Sequence, residues 1–124
     1  MVDKKSKIVI CTDYCNGKKH DFKLFIDSRV RWLKKIKALT DSGYIGINKI
    51  QRYTQLPKKR TKKNPLSKKD KKNNKELSSQ RVINENVIGF LKRFKIISDR
   101  YRNRRKRFGL RFNLIAGICN HEII

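Results

Sequence analysis

Between residues 57 and 75 the chain offers almost nothing to bury, because Lys, Arg, Asn and Pro replace the apolar residues found on either side. Such a stretch reads as a loop or the fraying start of a helix, not as a core element. The same bias runs through the whole sequence: 34 Lys and Arg face 10 Asp and Glu in 124 residues, a formal charge of +24. Charge of that sign and size points to a polyanion, and nucleic acid is the commonest one, because each neutralised phosphate releases a condensed counterion. Hydrophobic residues make up 37% against 35% charged, enough for the thin core of one small domain. An anionic membrane is the weaker reading. No run approaches the roughly 20 apolar residues of a spanning helix, and no signal peptide precedes the first basic cluster. A soluble, intracellular protein is expected.

Cysteine usage fits a reducing compartment, since Cys11, Cys15 and Cys119 are odd in number and lack framework spacing. A metal site built from Cys11, Cys15 and His20 lacks a matching second pair. Burial as small hydrophobes is the better reading of these thiols.

The short β-branched run at residues 7–12, preceded by a polar Lys4-Lys5-Ser6 turn, predicts a hairpin whose second strand is complete. Asn16-Gly17 signals a turn, Asp21 is placed as the cap of a helix through Phe22, Leu24, Phe25 and Ile26, and residues 35–40 read as a strand. Asp41-Ser42-Gly43-Tyr44 turns the chain out of that strand, and residues 45–50 form a short helix or turn. This order implies an α/β layer with parallel pairing.

Residues 78–94 read as a helix. At ~100° per residue, Ile83, Val87, Phe90, Leu91 and Phe94 share one side, with Glu85 opposite them in line with Gly89 and Lys92. Glu85 is the only acid between Glu76 and Asp99. It is either one end of a solvated ion-pair row, with Arg81 four residues before it, or a catalytic acid held over a charged cleft. A basic block from Asp99 to Arg107, interleaved with Tyr101, leads into a last helix at about 107–120, whose stripe of Phe108, Phe112, Ile115 and Cys119 is flanked by Leu110, Leu114 and Ile118. Core packing is the better reading of these Phe residues, and base stacking the minor one. The cluster Lys58-Lys59-Arg60-Thr61-Lys62-Lys63 would serve as a solvated loop, a phosphate contact or an import tag.

Asp41 follows a predicted strand, where open α/β sheets place ligand-binding groups. A strand-end Asp and a helix Glu are what a two-metal phosphoryl-transfer site requires, because hard divalent cations take oxygen ligands. By itself that pairing is unspecific.

The wording around these acids is more specific. Asp41-Ser42-Gly43-Tyr44-Ile45-Gly46-Ile47, the block from Glu76-Leu77-Ser78-Ser79 through Asn86-Val87-Ile88-Gly89, and the stretch from Tyr101 to Gly117 resemble the C-terminal part of bacterial insertion-sequence transposases of the Harbinger-like DDE superfamily endonuclease group. Gly17-Lys18-Lys19-His20-Asp21-Phe22 is similar to that family's Gly-x-x-His-Asp segment. The resemblance implies an α/β, RNase H-like catalytic core in which three acids bind two Mg²⁺ ions for DNA strand cleavage and transfer. The second Asp maps to Asp41 and the Glu to Glu85, as catalytic residues and metal ligands. His20 and Asp21 would shape the site.

The family's first Asp, in an Asp-x-Thr-Glu stretch on the first strand, has no counterpart, and neither Asp3 nor Asp13 sits in that motif. Residues 1–124 are therefore expected to be a partial catalytic domain with an incomplete RNase H-like fold, marginally stable and inactive alone. Candidate DNA contacts are Lys58, Lys59, Arg60, Lys62, Lys63, Lys92, Arg93, Arg102, Arg104, Arg105 and Arg107. Expected partners are DNA and either the missing N-terminal part or a full-length transposase, with no membrane. The expected location is the bacterial cytoplasm, at the nucleoid. The competing reading is a small basic nucleic-acid-binding protein without chemistry.

Overall fold

The basic loop ends where a serine can satisfy free helix amides. In the computed structural model, which describes residues 1–124, Ser67 Oγ accepts from the Asp70 N–H (3.1 Å) and Asp70 Oδ2 accepts from the Ser67 N–H (3.1 Å). That reciprocal cap starts a helix covering Lys68–Leu91, so the helix expected from residue 78 begins in the basic segment itself. An acid in the first turn also suits the helix dipole. Lys58, and then Ser67, hold the Asp70 carboxyl below its ordinary range.

The elements, in chain order, are α1 (Asp21–Ser28), β1 (Ala38–Leu39), β2 (Thr54–Gln55), α2 (Lys68–Leu91), α3 (Lys95–Ser98) and α4 (Phe108–Ile123), with 3-10 turns at Ser42–Tyr44, Ile47–Lys49 and Arg105–Arg107. They divide into two compact units: Met1–Tyr14 with Val82–Ile124, and Cys15–Arg81. No helix is long and apolar enough to cross a membrane.

In the unit formed by both chain ends, the core comprises Val9, Val87, Leu91, Ile115, Ala116 and Cys119, with Phe90, Phe94 and Phe112 packed around it. The α2 face expected to be apolar is therefore the buried one, and Cys119 is a small hydrophobe at 1% exposure. Phe108 is an aromatic hub: Tyr14 and Tyr101 meet it edge-on at 5.0 and 4.9 Å, and Phe112 tilts against it at 5.8 Å. Gly109 permits the approach, since a Cβ there would stand 2.8 Å from Tyr14 Cε1.

The expected second strand of the hairpin is reduced to one antiparallel bridge, Val2 to Val9, with a turn closed by Asp3, whose carboxylate accepts from the Ser6 N–H (2.7 Å) and Oγ (2.6 Å). Outside the bridge, the backbone of Val9 meets a side chain. Asn120 Oδ1 accepts from the Val9 N–H (2.8 Å), and Asn120 Nδ2 donates to the Val9 carbonyl (2.9 Å). One amide stands where a neighbouring strand would bond, so the segment needs no ladder on that edge.

In the unit of residues 15–81, β1 and β2 are parallel, with Ala38 opposite Thr54 and Leu39 opposite Gln55. The pair is parallel, but the partner of the strand expected at 35–40 is residues 54–55, which the sequence pattern does not mark, and not the run at 7–12 that the strand–helix–strand order pointed to. The strand expected over 35–40 is shorter because its first half turns back, with the Ile36 N–H donating to the Leu33 carbonyl (2.9 Å). Ile47, fully buried, and the half-buried ring set Phe22, Phe25, Trp32 and Tyr44 hold this unit. Asn74 reads the Lys58 backbone as Asn120 reads Val9, accepting from its N–H (2.8 Å) and donating to its carbonyl (2.8 Å).

Replacing Asn120 by Ala removes two hydrogen bonds and leaves part-buried backbone groups unpaired, a loss of about 1–3 kcal/mol. Urea unfolding should show that loss, and hydrogen exchange should show the Val9 amide losing its protection first. Asn120→Asp, which keeps the acceptor only, should be intermediate for Val9 protection.

Candidate functional site

Parallel pairing with β2 ends at Leu39, and two residues later Asp41 leaves the strand direction in an extended conformation. Its carboxylate caps the 3-10 turn, Oδ1 accepting from the Ser42 N–H at 2.6 Å. The same oxygen accepts from Arg81 Nη1 at 3.2 Å, with the Asp41 side chain 56% exposed and that of Arg81 30%. Arg81 thus serves Asp41, not Glu85 as the four-residue spacing suggested. A pair this exposed contributes about 0–1 kcal/mol, so a ligand with stronger charge can displace it.

The two sequence segments carrying His-Asp and Asp-Ser-Gly-Tyr fold against each other. His20, not Asp21, is the N-cap of α1: its Nδ1 accepts from the Phe22 N–H at 3.3 Å, which leaves Nε2 as the protonated nitrogen of the neutral ring. Asp21 lies one position later, in the first turn. The imidazole rests on Gly43, where a Cβ would meet His20 Cε1 at 3.2 Å. Tyr44 packs edge-on against Phe22 (5.6 Å) and Phe25 (6.2 Å). Burial, and then the charges of Asp21 and Asp41, push the Tyr44 hydroxyl above the ordinary tyrosine value of 10.0. Tyr44 and Arg81 are thus neighbours of Asp41 that sequence spacing does not single out as site residues. The Asp41-x-x-Tyr44 spacing is visible, but Arg81 lies 40 residues away along the chain.

Glu85 lies one helical turn beyond Arg81 on α2, exposed and without a salt bridge. Asp41 belongs to the unit 15–81 and Glu85 to the other. No three His, Cys, Asp or Glu side chains form a group able to hold a metal ion. Asp41 belongs to no group of three such side chains, which is fewer ligands than a pair of divalent cations takes.

Among the predicted phosphate contacts, Lys59, Arg60, Lys62, Lys63, Lys92, Arg102, Arg104, Arg105 and Arg107 are exposed. Two others have partners within the protein. Lys58 Nζ bonds Asp70 at 3.0 Å. Arg93 pairs with Glu122 and lies over the Phe90 ring (4.1 Å) and the Phe94 ring (4.8 Å), so it fastens the end of α2 to α4 as much as it presents charge. The three cysteines are free thiols.

Residues 1–120 match a family profile described as DDE superfamily endonuclease. The chain is 43% identical over 123 residues to a probable transposase for insertion sequence element IS702 from Microchaete diplosiphon, an alignment that covers 99% of this chain and 45% of that protein. The chain thus spans less than half the length of this relative. No solved structure matches.

The proximity of Tyr44 to Asp41 has a measurable consequence. Asp41→Asn should lower the Tyr44 pKa towards 10.0, read by ultraviolet titration with Tyr44→Phe identifying the transition. Because the folded-state value is raised, the associated stability is complete below about pH 10 and is lost as pH rises through the folded-state pKa.

Proposed function

Because the chain belongs to the DDE superfamily endonuclease family, we propose that it is the acid- and phosphate-binding part of a transposase that cleaves and transfers DNA strands at insertion-sequence ends, at the bacterial nucleoid. The observation that carries this reading is the strand-end carboxylate of Asp41, exposed and paired with Arg81, beside the His20–Asp21 and Tyr44 segment. Asp41 and Glu85 are the two working acids. An RNase H-like core is the fold this reading requires, with the short parallel pair as part of its sheet.

In such enzymes Mg²⁺ supplies the Lewis acidity, and the residues here do not by themselves assemble a site for it. What its own residues do is hold and orient DNA. The exposed cations at 59–63 and 102–107 neutralise phosphates, while Arg81 orients the Asp41 carboxylate. His20 rests against Gly43 in the turn that carries Asp41, with Asp21 next to it in the first turn of α1. The partners are DNA and the remainder of a transposase, whether a separate polypeptide or a full-length copy.

Binding to a duplex should weaken steeply with salt, and replacing Lys59, Arg60, Lys62 and Lys63 together by Gln should flatten the log–log slope by ~0.9 for each phosphate no longer neutralised. With the remainder of a transposase supplied, Mg²⁺ should tighten binding to DNA ends, and Asp41→Asn or Glu85→Gln should abolish that tightening but not the Mg²⁺-free binding. Binding indifferent to Mg²⁺ in all three proteins would favour a nucleic-acid-binding protein without chemistry.

A further inference from the structure

Helix α4 carries apolar residues on two faces, separated by Asn113 and Asn120 on one side and by Arg111 and Glu122 on the other. One face is accounted for, since Ile115, Ala116 and Cys119 are buried in the core. Away from them, Leu110, Leu114 and Ile118 recur every four residues and are 73%, 64% and 41% exposed. At ~100° per residue these three side chains fall within about 80° of one another, as a continuous stripe. Beside it, Gly117 has open space where a Cβ would stand, so another backbone can approach closely. Scattered exposed leucines need no explanation, but an aligned stripe on a helix already packed on its other side does.

We propose that this stripe is the docking face for an apolar surface of the transposase remainder, the polypeptide corresponding to the part of the IS702 relative that this chain does not match. The inference rests on the transposase reading above, and it adds the place where the two parts meet. Two observations choose this occupant over a second copy of the chain. More than half of the relative lies outside the matched residues. Each copy carries a formal charge of +24, which opposes self-association through a stripe bordered by Arg107 and Arg111. Arg107, exposed at the head of the helix, calls for an acidic side chain at the rim of the partner surface, whereas Arg111 already lies over the Tyr101 ring.

The test is co-expression of the chain with the unmatched portion of the relative, followed by titration and sedimentation velocity. The double variant Leu110→Gln/Leu114→Gln changes no charge and touches only exposed side chains, so its circular dichroism and its DNA affinity should equal those of the parent. A 1:1 complex weakened roughly 30-fold by that variant is the expected result. No complex, a complex indifferent to the variant, or a homodimer that the variant dissolves would each overturn the proposal. DNA binding is measured separately, so a chain that forms the complex but ignores DNA would refute the transposase reading and leave the docking face standing.

Discussion

Negative charge is the scarce component of this protein, and the structure is organised by where each carboxylate goes. Ten acids serve 34 cations. Asp3 closes the N-terminal turn, Asp27 pairs with Lys19 and Lys23, Asp70 joins the helix cap to Lys58, and Glu122 ties Arg93 to the last helix. Each is placed at a junction, such as a turn, a cap or a link between helices, where a fixed acid both satisfies donors and relieves local repulsion. Individually these exposed pairs contribute little. Their positions nonetheless decide which cations stay available: the runs at 59–63 and 102–107 contain no acid at all.

Asp41 and Glu85 are among the acids left accessible. Asp41 is held by one guanidinium through one oxygen and remains more than half exposed, while Glu85 is exposed with no cation bound to it in a chain rich in them. Asp41 also caps a 3-10 turn, and Asp13, Glu76 and Asp99 are, like Glu85, exposed and outside every salt bridge. Exposure alone does not single these two out; their sequence context does, and their exposure on a strand end and on a helix leaves them free to meet an external ligand.

Much of this is legible in the sequence because the signals are local. The period of Val87 and Leu91 marks the buried face of α2, Asn16-Gly17 marks a turn, and Asp41-Ser42-Gly43-Tyr44 marks the exit from β1. The start of α2 is also written locally, in Ser67-x-x-Asp70, but the lysines around it mask the cap. Other features have no local trace. Asn120 replaces a neighbouring strand for a residue 111 positions earlier, and Arg81 reaches back 40 residues to Asp41. His20 takes the cap from Asp21 because a ring nitrogen can accept an amide proton as a carboxylate can, a substitution that residue preferences rank low. β2 escapes sequence reading because a two-residue strand carries no alternation.

The assignment of Asp41 and Glu85 as working acids is tested most directly in a chimera in which this chain replaces the matched portion of the IS702 relative. Strand cleavage at an element end is then measured for the parent, Asp41→Asn and Glu85→Gln, with DNA affinity followed in parallel. The expected result is cleavage by the parent and its loss in both variants, by a factor on the order of 100 or more, at unchanged affinity. Cleavage that persists in either variant at the parental rate would contradict the assignment of that acid.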